Sequence, residues 1–563
     1  MTTQLLFDLP VQVSADAYDY GVRTSGETHG VVLTKTHIVD AMLDLMGFTS
    51  DRDLGSLTLL EPSCGHGAFL LPAVSRLLAS VQRTGRAVKE LEGAVLAYDI
   101  DREHVERTRA ALVALLERQN VSTKSANRLA TTWVQQGDFL LARIEKKFDF
   151  VVGNPPYIRI EQIADALQTE YRRRYHSLYD RADLYVAFIE RGLALLSASG
   201  VLSFICADRW VSNKYGAPLR ALISSRYQLR YYVDLHKASP FESDVIAYPS
   251  IFVLGQGKTG QVRVISLETA SPEECSRVFA ALPATQPARE TGPIALYDTW
   301  FEGSEPWVLS SPVHLRALRE LEARFSPIEA TARVGIGIAT GNDKVYIVQR
   351  DADVERDRLV PLVMRDDLDN GRIKDAGRFV INAFGVDGRI VDLDQYPRLK
   401  AYLEVHAASV KNRHVAKKNP GSWFRTIDRV YPELVRVPKL LIPDIAGSNE
   451  VVLDHGGYHP HHNLYFVTSE RWDMEVLGGI LSSRVALFFV WSYAVKMRGG
   501  YLRFQAQYLR RIRLPNPDAI PAPLSDALRA GFRARDFALL DRLALEAYGL
   551  ADLPTFDFVD TRK

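Results

Sequence analysis

The amino-acid sequence predicts an α/β fold: a doubly wound, mostly parallel sheet of the Rossmann-like kind, followed by a mixed α/β domain. Two observations lead to this prediction. Between residues 57 and 260, short runs rich in Val, Ile and Leu alternate with longer amphipathic runs, which is typical of strands covered by helices. A turn containing Gly65 and Gly67 follows the first of these runs, and such sheets bind ligands at the carboxyl ends of their strands.

The same patterns give the individual elements. An amphipathic helix is predicted over Thr36–Met46, ending at Gly47, a residue favoured just past a helix end. Two further helices are predicted over Arg102–Gln119 and Leu184–Ser197. Frequent Gly, Pro and Ser residues predict a linker over residues 261–300, between a domain of residues 1–260 and a domain of residues 301–563. Strands are predicted at Leu57–Leu60, Gly93–Tyr98, Trp133–Gln136, Asp149–Val152, Gly200–Cys206, Arg230–Val233 and Ser250–Leu254.

Composition limits the class of protein. The 563 residues include 69 basic and 68 acidic side chains, so any surface for a polyanion must be local. No stretch reaches the roughly 18 apolar residues of a membrane helix. Cys64, Cys206 and Cys275 lie far apart without CxxC spacing, which argues against disulfides and zinc and favours the cytoplasm. The histidines of residues 458–463 have no accompanying Cys or carboxylate spacing, so no metal is predicted.

The segment Glu61–Phe69, Glu-Pro-Ser-Cys-Gly-His-Gly-Ala-Phe, predicts a cofactor-binding loop. Gly65 and Gly67 allow a ligand to approach the backbone closely. Asp99 ends the next predicted strand, where a carboxylate can accept both hydroxyls of a ribose. The loop lacks the Gly-Lys-Ser/Thr ending of a phosphate-binding loop and the third glycine of the dinucleotide motif. A nucleoside without phosphates is therefore expected.

The segment Asn154-Pro155-Pro156-Tyr157 follows the fourth predicted strand and suggests the chemistry. Two prolines stiffen the loop and leave carbonyl groups free as acceptors. The amide oxygen of Asn154 and the carbonyl of Pro155 can each accept one N–H of an exocyclic amine, which makes the nitrogen lone pair available for attack. Tyr157 can stack on the ring that carries this amine.

The order of these motifs resembles the gamma group of amino DNA methyltransferases, which contains the TaqI-type enzymes. A segment with Gly30 and Thr34 comes first, then the glycine loop, Asp99, Asp138-Phe139 and Asn154–Tyr157. The resemblance implies transfer of a methyl group from S-adenosyl-L-methionine to N6 of a flipped-out adenine in duplex DNA, with Asp99 on the ribose and Asp138 and Phe139 on the cofactor adenine. It implies cofactor contacts from Thr34, Glu61, Pro62, Ser63, Cys64, Gly65, Gly67, Asp99, Asp138 and Phe139.

Two locally basic stretches predict contacts with double-stranded DNA in the second domain. Residues 401–440 carry eight Lys or Arg against three acids, and residues 496–513 carry six with no acid. Such clusters with interspersed aromatic residues suit phosphate contacts. Residues 335–344 also resemble part of the family's recognition domains. The family's second aromatic residue against the target base has no clear match, and Phe279 is the candidate. The predicted DNA contacts are Lys411, Arg413, Lys496, Arg498 and Arg503.

Two alternative functions remain open. The Asn-Pro-Pro-Tyr motif recognises a planar NH₂ group, so an RNA adenine or protein glutamine N-methyltransferase is possible. A non-catalytic DNA-binding specificity module is the other alternative. The first motif begins near Gly30, which leaves no room for a preceding nuclease domain, and no nuclease carboxylate–Lys cluster follows. The chain is therefore expected to modify DNA as a monomer, without a membrane, beside a separate cognate restriction endonuclease.

Overall fold

The computed structural model describes residues 32–243, 248–258, 260–282, 293–298, 300–308, 311–375, 377–494, 497 and 500–561. The chain divides into two compact units, Met1–Pro312 and Val313–Lys563.

A mostly parallel sheet forms the centre of the first unit. Its strands run in the order β3-β2-β1-β4-β5-β7-β6-β8-β9. Strands β1 to β5 pair in parallel, whereas β7 is antiparallel to both of its neighbours. The strands are β1 Leu59–Glu61, β2 Val95–Asp99, β3 Val134–Gln136, β4 Phe148–Gly153, β5 Leu196–Ala207, β6 Tyr227–Asp234, β7 Pro249–Gln256, β8 Val262–Ser266 and β9 Ile294–Tyr297.

The sheet order reverses between β1 and β4, because β2 lies on one side of β1 and β4 on the other. A crevice at the carboxyl ends of the strands opens at such a switch point, and ligands bind there. The glycine loop follows β1 and the Asn154–Tyr157 loop follows β4. The topology therefore brings the two predicted motifs to one crevice, and the predicted fold class is confirmed.

Helices pack on the sheet and bury their apolar stripes. Helix α1, for example, buries Ile38, Val39 and Met42 in the main core. The helices of this unit are α1 Thr36–Leu45, α2 Leu70–Thr84, α3 Arg102–Arg118, α4 Thr123–Trp133, α5 Asp165–Arg174, α6 Tyr185–Ala194, α7 Arg209–Ser212, α8 Ala217–Arg226 and α9 Pro272–Ala280.

The structure corrects two sequence predictions. The helix predicted over Leu184–Ser197 ends at Ala194, because Leu196 already pairs with Phe148 before a bulge shifts the register. The predicted linker 261–300 is not a linker: it contributes β8, α9 and β9 to the first unit. Ser271, one of the residues that suggested a linker, caps α9 by accepting the N–H of Glu274.

The aromatic residues of 297–307, which span the predicted boundary at residue 300, also pack within the first unit. Trp300 lies 5.1 Å from Tyr232 and Trp307 lies 4.9 Å from Trp210, measured between ring centroids. The compact units consequently divide near residue 312 and not near residue 300.

The second unit contains two four-stranded sheets, of order β11-β21-β17-β19 and β12-β16-β13-β20. Its strands are β10 Ser326–Pro327, β11 Arg333–Ile336, β12 Ile347–Gln349, β13 Leu359–Val363, β14 Leu368–Asp369, β15 Arg372–Ile373, β16 Arg378–Ile381, β17 Lys439–Pro443, β18 Ile445–Ala446, β19 Val452–Asp454, β20 His459–Pro460, β21 Leu464–Thr468, β22 Leu502–Arg503 and β23 Arg513–Leu514. Its helices are α10 Pro312–Arg324, α11 Asp343–Tyr346, α12 Pro397–Val405, α13 Ala407–Lys411, α14 His414–Lys418, α15 Met474–Leu481, α16 Arg484–Tyr493, α17 Ala506–Leu509, α18 Ala522–Ala534 and α19 Phe537–Ala547.

Within the described residues, no single helix has the length and apolar character needed to cross a membrane. One bent pair, α15 with α16, meets that criterion jointly by length and composition, at an angle of 58°. Both helices are largely buried within the second unit.

Candidate functional site

A cavity of about 280 Å³ lies at the carboxyl ends of β1, β2 and β4. Apolar side chains such as Phe139 and Phe188 line it together with a few carboxylates. This mixture is typical of ligand-binding sites, in which a small number of polar groups fix the orientation of a mostly apolar-bound ligand. The predicted residues that line it are Thr34, Glu61, Pro62, Ser63, Cys64, Gly65, Asp99, Asp138, Phe139, Asn154 and Pro156.

Glu61 is the most unusual side chain of this cavity. It is fully buried, and neither carboxylate oxygen has a hydrogen-bond partner among the described residues. Burial, reinforced by the nearby carboxylate of Asp99, raises the pKa of Glu61 well above its ordinary value of 4.5. A buried acceptor without a donor is costly, so this carboxylate is prepared for a ligand that brings hydrogen-bond donors or positive charge.

Asp99 holds the glycine loop in place. Its Oδ2 accepts the backbone N–H of Gly65 at 2.8 Å, and its Oδ1 accepts that of Asp101 at 2.9 Å. Each carboxylate oxygen has two lone pairs. His104 Nδ1 lies 3.2 Å from Oδ1 and takes its second acceptor position, so one position remains for a ligand hydroxyl, at Oδ2. Gly67 has a left-handed backbone, φ 83°, and a Cβ there would lie 3.2 Å from Leu71, which explains this glycine.

Two histidines beside Asp99 were not predicted. His104 Nδ1 lies 3.2 Å from Asp99 Oδ1, and its ring packs edge to face against that of His66 at 4.8 Å. The hydrogen bond with Asp99 raises the pKa of His104, whereas burial lowers the pKa of His66. Their positions in the sequence could have indicated these histidines. His66 is part of the glycine loop, and His104 lies in the first turn of the helix that follows Asp99.

Asp138 and Phe139 form the far wall of the cavity. Asp138 Oδ1 accepts the N–H of Leu140 at 2.8 Å, and its Oδ2 accepts the hydroxyl of Tyr171 at 2.6 Å. Burial raises the pKa of Asp138. The ring of Phe139 lies 5.3 Å from that of Phe188, leaving an apolar slot beside a buried carboxylate. This pairing suits a planar aromatic ring that carries a donor.

The amide of Asn154 has a defined orientation. Its Nδ2 donates to the backbone carbonyl of Val32 at 2.9 Å, and Thr34 Oγ1 lies 3.4 Å away. Because the carbonyl of Val32 can only accept, the assignment of nitrogen and oxygen follows from the contact. The other amide atom, Oδ1, is buried and has no partner among the described residues. Asn154 therefore presents an open acceptor.

Phe279, the candidate for the second aromatic residue against the target base, lies on α9, and its assignment stays a prediction. The ring that meets Tyr157 edge to face, at 6.4 Å, is Phe241, and Tyr185 lies at 6.1 Å. Burial raises the pKa of Tyr157 well above its ordinary value, and its hydroxyl has no partner in the described part of the chain. The phenol of Tyr157 is thus neutral, and its ring is the part that can stack on another ring.

A short N-terminal segment, Val32–Lys35, links these features. Lys35 N–H donates to the carbonyl of Pro240 at 3.0 Å, and Glu242 N–H donates to that of Leu33 at 2.9 Å. The segment thereby lies against the loop that carries Phe241, while the carbonyl of Val32 orients the amide of Asn154. Segments more than 200 residues apart in sequence meet here, which local patterns do not reveal.

Comparison with known proteins assigns the chain. A family profile described as Eco57I restriction-modification methylase matches residues 93–241, and one described as TaqI-like C-terminal specificity domain matches residues 388–514. The chain is 44% identical to the type II methyltransferase M.PaeR7I of Pseudomonas aeruginosa, over 96% of this chain and 95% of that one. The chain belongs to the type II DNA methyltransferases of restriction-modification systems.

Other relatives agree. The methyltransferase is 45% identical to type II methyltransferase M.XhoI of Xanthomonas vasicola, over 93% of this chain and 98% of that one. Its fold is similar to that of the type IIL restriction-modification enzyme MmeI in complex with DNA, with a TM-score of 0.59, 12% identity, and coverage of 92% of this chain and 74% of that chain. The predicted resemblance to the TaqI-type family is thus confirmed.

The structure describes three of the five residues that were predicted to contact DNA. Lys496 and Arg498 lie outside the described residues. Arg503 forms an ion pair with Asp444, with Nη2 and Oδ2 2.5 Å apart. Lys411 is exposed, and its Nζ lies 4.8 Å from the ring centroid of Trp423. The contacts of Arg503 and Lys411 with DNA stay predictions.

Arg413 has a different role from the predicted one. Its guanidinium donates to the carbonyls of Val410, Thr340, Trp423 and Arg425 and to the hydroxyl of Tyr346, at 2.8–3.1 Å. These internal contacts use the donors that DNA would need. The run of basic residues predicted exposed side chains, because the sequence alone does not reveal which lysine or arginine is held by internal hydrogen bonds.

One group of potential metal ligands occurs among the described residues. Asp343, His461 and His462 each bring a ligand atom within 4.8 Å of the others. His461 Nε2 lies 3.1 Å from Asp343 Oδ2, and the other oxygen of this carboxylate accepts the hydroxyl of Thr340 at 2.5 Å. These contacts brace the loop before α11, and the expectation that the protein needs no metal stays a prediction.

Proposed function

We propose that this methyltransferase transfers a methyl group from S-adenosyl-L-methionine to the exocyclic N6 of adenine in duplex DNA, an activity of the EC 2.1.1.72 type. The observation that carries the proposal is the Asn154 amide. Its nitrogen is held by the Val32 carbonyl, which leaves a buried oxygen as an acceptor at the cofactor cavity. An acceptor in a rigid Pro-Pro loop is what an exocyclic NH₂ group requires.

The cavity residues fit the proposed cofactor. The unpartnered Glu61 carboxylate suits a ligand with amino and hydroxyl donors, and the remaining acceptor position of Asp99 Oδ2 suits a ribose hydroxyl. The apolar slot at Phe139, beside Asp138, suits an adenine ring and its amine. When bound, S-adenosyl-L-methionine supplies an activated methyl group on its sulfonium, so that the protein has no need to form a covalent intermediate.

The residues of this chain then act on the amine. Asn154 Oδ1 and the carbonyl of Pro155 each accept one N–H, which draws the nitrogen towards tetrahedral geometry and directs its lone pair outward. These contacts are worth most as the nitrogen becomes nucleophilic, so they favour the transition state over the ground state. Val32 contributes by preventing rotation of the amide.

An adenine paired within a duplex cannot reach this cavity, so the target base must leave the helix. Extrusion costs on the order of a few kcal/mol. Stacking on an aromatic ring is worth roughly 1–3 kcal/mol per base, and Tyr157 is the proposed ring. We assign the second aromatic position to Phe241, whose ring lies 6.4 Å from that of Tyr157.

The test offers the purified protein labelled S-adenosyl-L-methionine with duplex DNA, RNA or a protein substrate bearing a glutamine amide. We expect label in duplex DNA alone and, after digestion, N6-methyladenine as the product. N4-methylcytosine as the product would refute the adenine assignment. Methylated RNA or protein without methylated DNA would favour an RNA adenine or protein glutamine N-methyltransferase. Absence of cofactor binding in calorimetry would favour a non-catalytic specificity module.

Two statements about partners belong to the same proposal. Because its relatives are type II methyltransferases of restriction-modification systems, we infer that the protein protects DNA against a separate cognate endonuclease, and that it acts as a monomer in the cytoplasm. DNA from cells that express this chain should then resist that endonuclease. Full cleavage of this DNA would contradict the inference.

A further inference from the structure

Three loops of the second unit meet and are held together by backbone hydrogen bonds. They comprise residues 336–342, 384–390 and 424–431, and are called here the three-loop surface. Ile427 N–H donates to the carbonyl of Thr340 at 3.4 Å, and Asp428 N–H donates to that of Ala339 at 3.1 Å. In return, the Asp428 carboxylate accepts the N–H of Ala339 at 2.9 Å. The first and third loops are thus one rigid assembly.

The middle loop joins this assembly through two arginines. Arg429 Nη2 lies 3.5 Å from the carbonyl of Val386. The guanidinium of Arg425 lies 6.0 Å from the ring centroid of Phe384, where the middle loop begins. Beneath the surface, Arg413 binds the carbonyls of Thr340 and Arg425 at once. The loops are therefore positioned before any partner binds.

Glycines explain how the first loop packs so closely. A Cβ at Gly335, just before the loop, would lie 2.2 Å from the ring of Phe466, and one at Gly337 would lie 2.1 Å from the carbonyl oxygen of His461. Gly341 has φ 79°, a conformation that side chains disfavour. The glycine pattern of this segment therefore serves to seat the loop, which leaves its remaining side chains available for another role.

The three-loop surface exposes large apolar side chains. Ile336 and Ile427 are each about half exposed, at 52% and 51%, and Val386 is fully exposed. Tyr431 is 46% exposed and lines one groove together with Ile336 and Arg429. Single exposed apolar residues are common, but a group of them on adjoining loops marks an interaction site.

Arg425 and Arg429 are both partly exposed on this surface. The guanidinium of Arg429 lies 4.9 Å from the ring centroid of Tyr431. The Nε atoms of both arginines are buried, so a partner would be bound through their Nη atoms. Preset guanidinium groups among exposed aliphatic side chains match the edges of base pairs, where arginine pairs with guanine and apolar groups contact the methyl of thymine.

We propose that the three-loop surface reads base edges in the major groove of duplex DNA, with Arg425 and Arg429 as the donors and Ile427 as an apolar contact. This inference rests on the proposed function in taking DNA as the substrate. Exposed aliphatic side chains bring nothing to a contact with phosphates, whereas they add discrimination at base edges. The three loops carry Arg389, Arg425 and Arg429 against Asp387 and Asp428, so their small net positive charge is compatible with DNA in either case.

The test begins with a pool of random duplex DNA, from which the wild-type protein selects its preferred sequence without any need for methylation. Arg425→Gln, Arg429→Gln and Ile427→Ala are then compared with the wild type for binding to this sequence and to a scrambled duplex. The controls are Arg542→Gln on α19 and Val405→Ala on α12, which replace exposed residues outside the three loops. Thermal unfolding checks that the second unit of each variant is folded, and calorimetry checks that the first unit still binds the cofactor.

We expect each arginine variant to lose roughly tenfold or more of the preference for the selected sequence, with an unchanged dependence on salt and unchanged cofactor binding. The controls should keep the full preference. A reduced salt dependence with unchanged preference would show phosphate contacts and overturn the proposal, as would wild-type behaviour in all three variants. If the wild type selects a sequence but methylates no adenine, the proposed function fails while this test still stands.

Discussion

Replacement of Asn154 by alanine is the most direct test of the site. The change removes the open Oδ1 acceptor and the 2.9 Å hydrogen bond from Nδ2 to the carbonyl of Val32. We expect methyl transfer to fall while S-adenosyl-L-methionine and DNA still bind, because the lost contact with the amine is made mainly in the transition state. The two lost contacts have different consequences and can be estimated separately.

The lost acceptor decides the rate. Removing one preorganised partner from developing charge costs about 2.7–4 kcal/mol, which is about 10²–10³ in kcat. The hydrogen bond to Val32 is an ordinary neutral one, worth about 0.5–1.5 kcal/mol of folding stability. Asn154→Asp would place a carboxylate oxygen against the carbonyl of Val32, so this isosteric variant should be inactive and less stable than Asn154→Ala.

Single-turnover methyl transfer to duplex DNA gives the rate, and calorimetry gives the affinity for the cofactor. Asn127→Ala is the matched control, because this exposed amide on α4 also donates to a carbonyl, that of Thr123 at 2.8 Å, away from the cavity. The control should keep its full rate. A near-normal rate for Asn154→Ala, or a lower rate that is fully explained by weaker cofactor binding, would refute the assigned role.

Three further predictions follow from the buried groups. Tyr157→Phe should keep activity and equal or exceed the wild type in melting temperature, since the lost hydroxyl has no partner among the described residues. Tyr157→Ala should reduce both turnover and the change in 2-aminopurine fluorescence at the target base. Equal effects of the Phe and Ala variants would contradict the stacking role. Burial raises the pKa of Glu61 in the folded protein, so the contribution of Glu61 to stability is present below the unfolded pKa and is lost as pH rises through the folded pKa. Relative to the wild type, Glu61→Gln should therefore be more stable at about pH 8 than at about pH 5. A difference in melting temperature that does not change with pH would count against this. Arg413→Lys should destabilise the protein by on the order of 3 kcal/mol, since one ammonium cannot replace the internal contacts of the guanidinium. The control Lys411→Ala should change the unfolding free energy by less than about 0.5 kcal/mol. Similar unfolding curves for the two variants would be incompatible with a structural role for Arg413.

The sequence by itself determined the sheet, the order of its motifs and many of the residues that line the cavity. Alternation of apolar runs is a local property, so the strands near Glu61, Asp99 and Asn154 were predicted to within a few residues. Parallel strands all end at one edge of the sheet, so loops that follow separate strands must meet there. This rule requires no knowledge of side-chain contacts.

Only the tertiary structure decided which side chains complete the site and which cations are available. Phe241 meets Tyr157, and Val32 orients Asn154, across separations that local patterns do not encode. Arg413 and Lys411 look alike in a basic run, yet one is held by internal carbonyls and the other is exposed. The physical reason is that periodicity records what a residue's neighbours in the chain require, whereas hydrogen bonds and burial depend on segments brought together by folding.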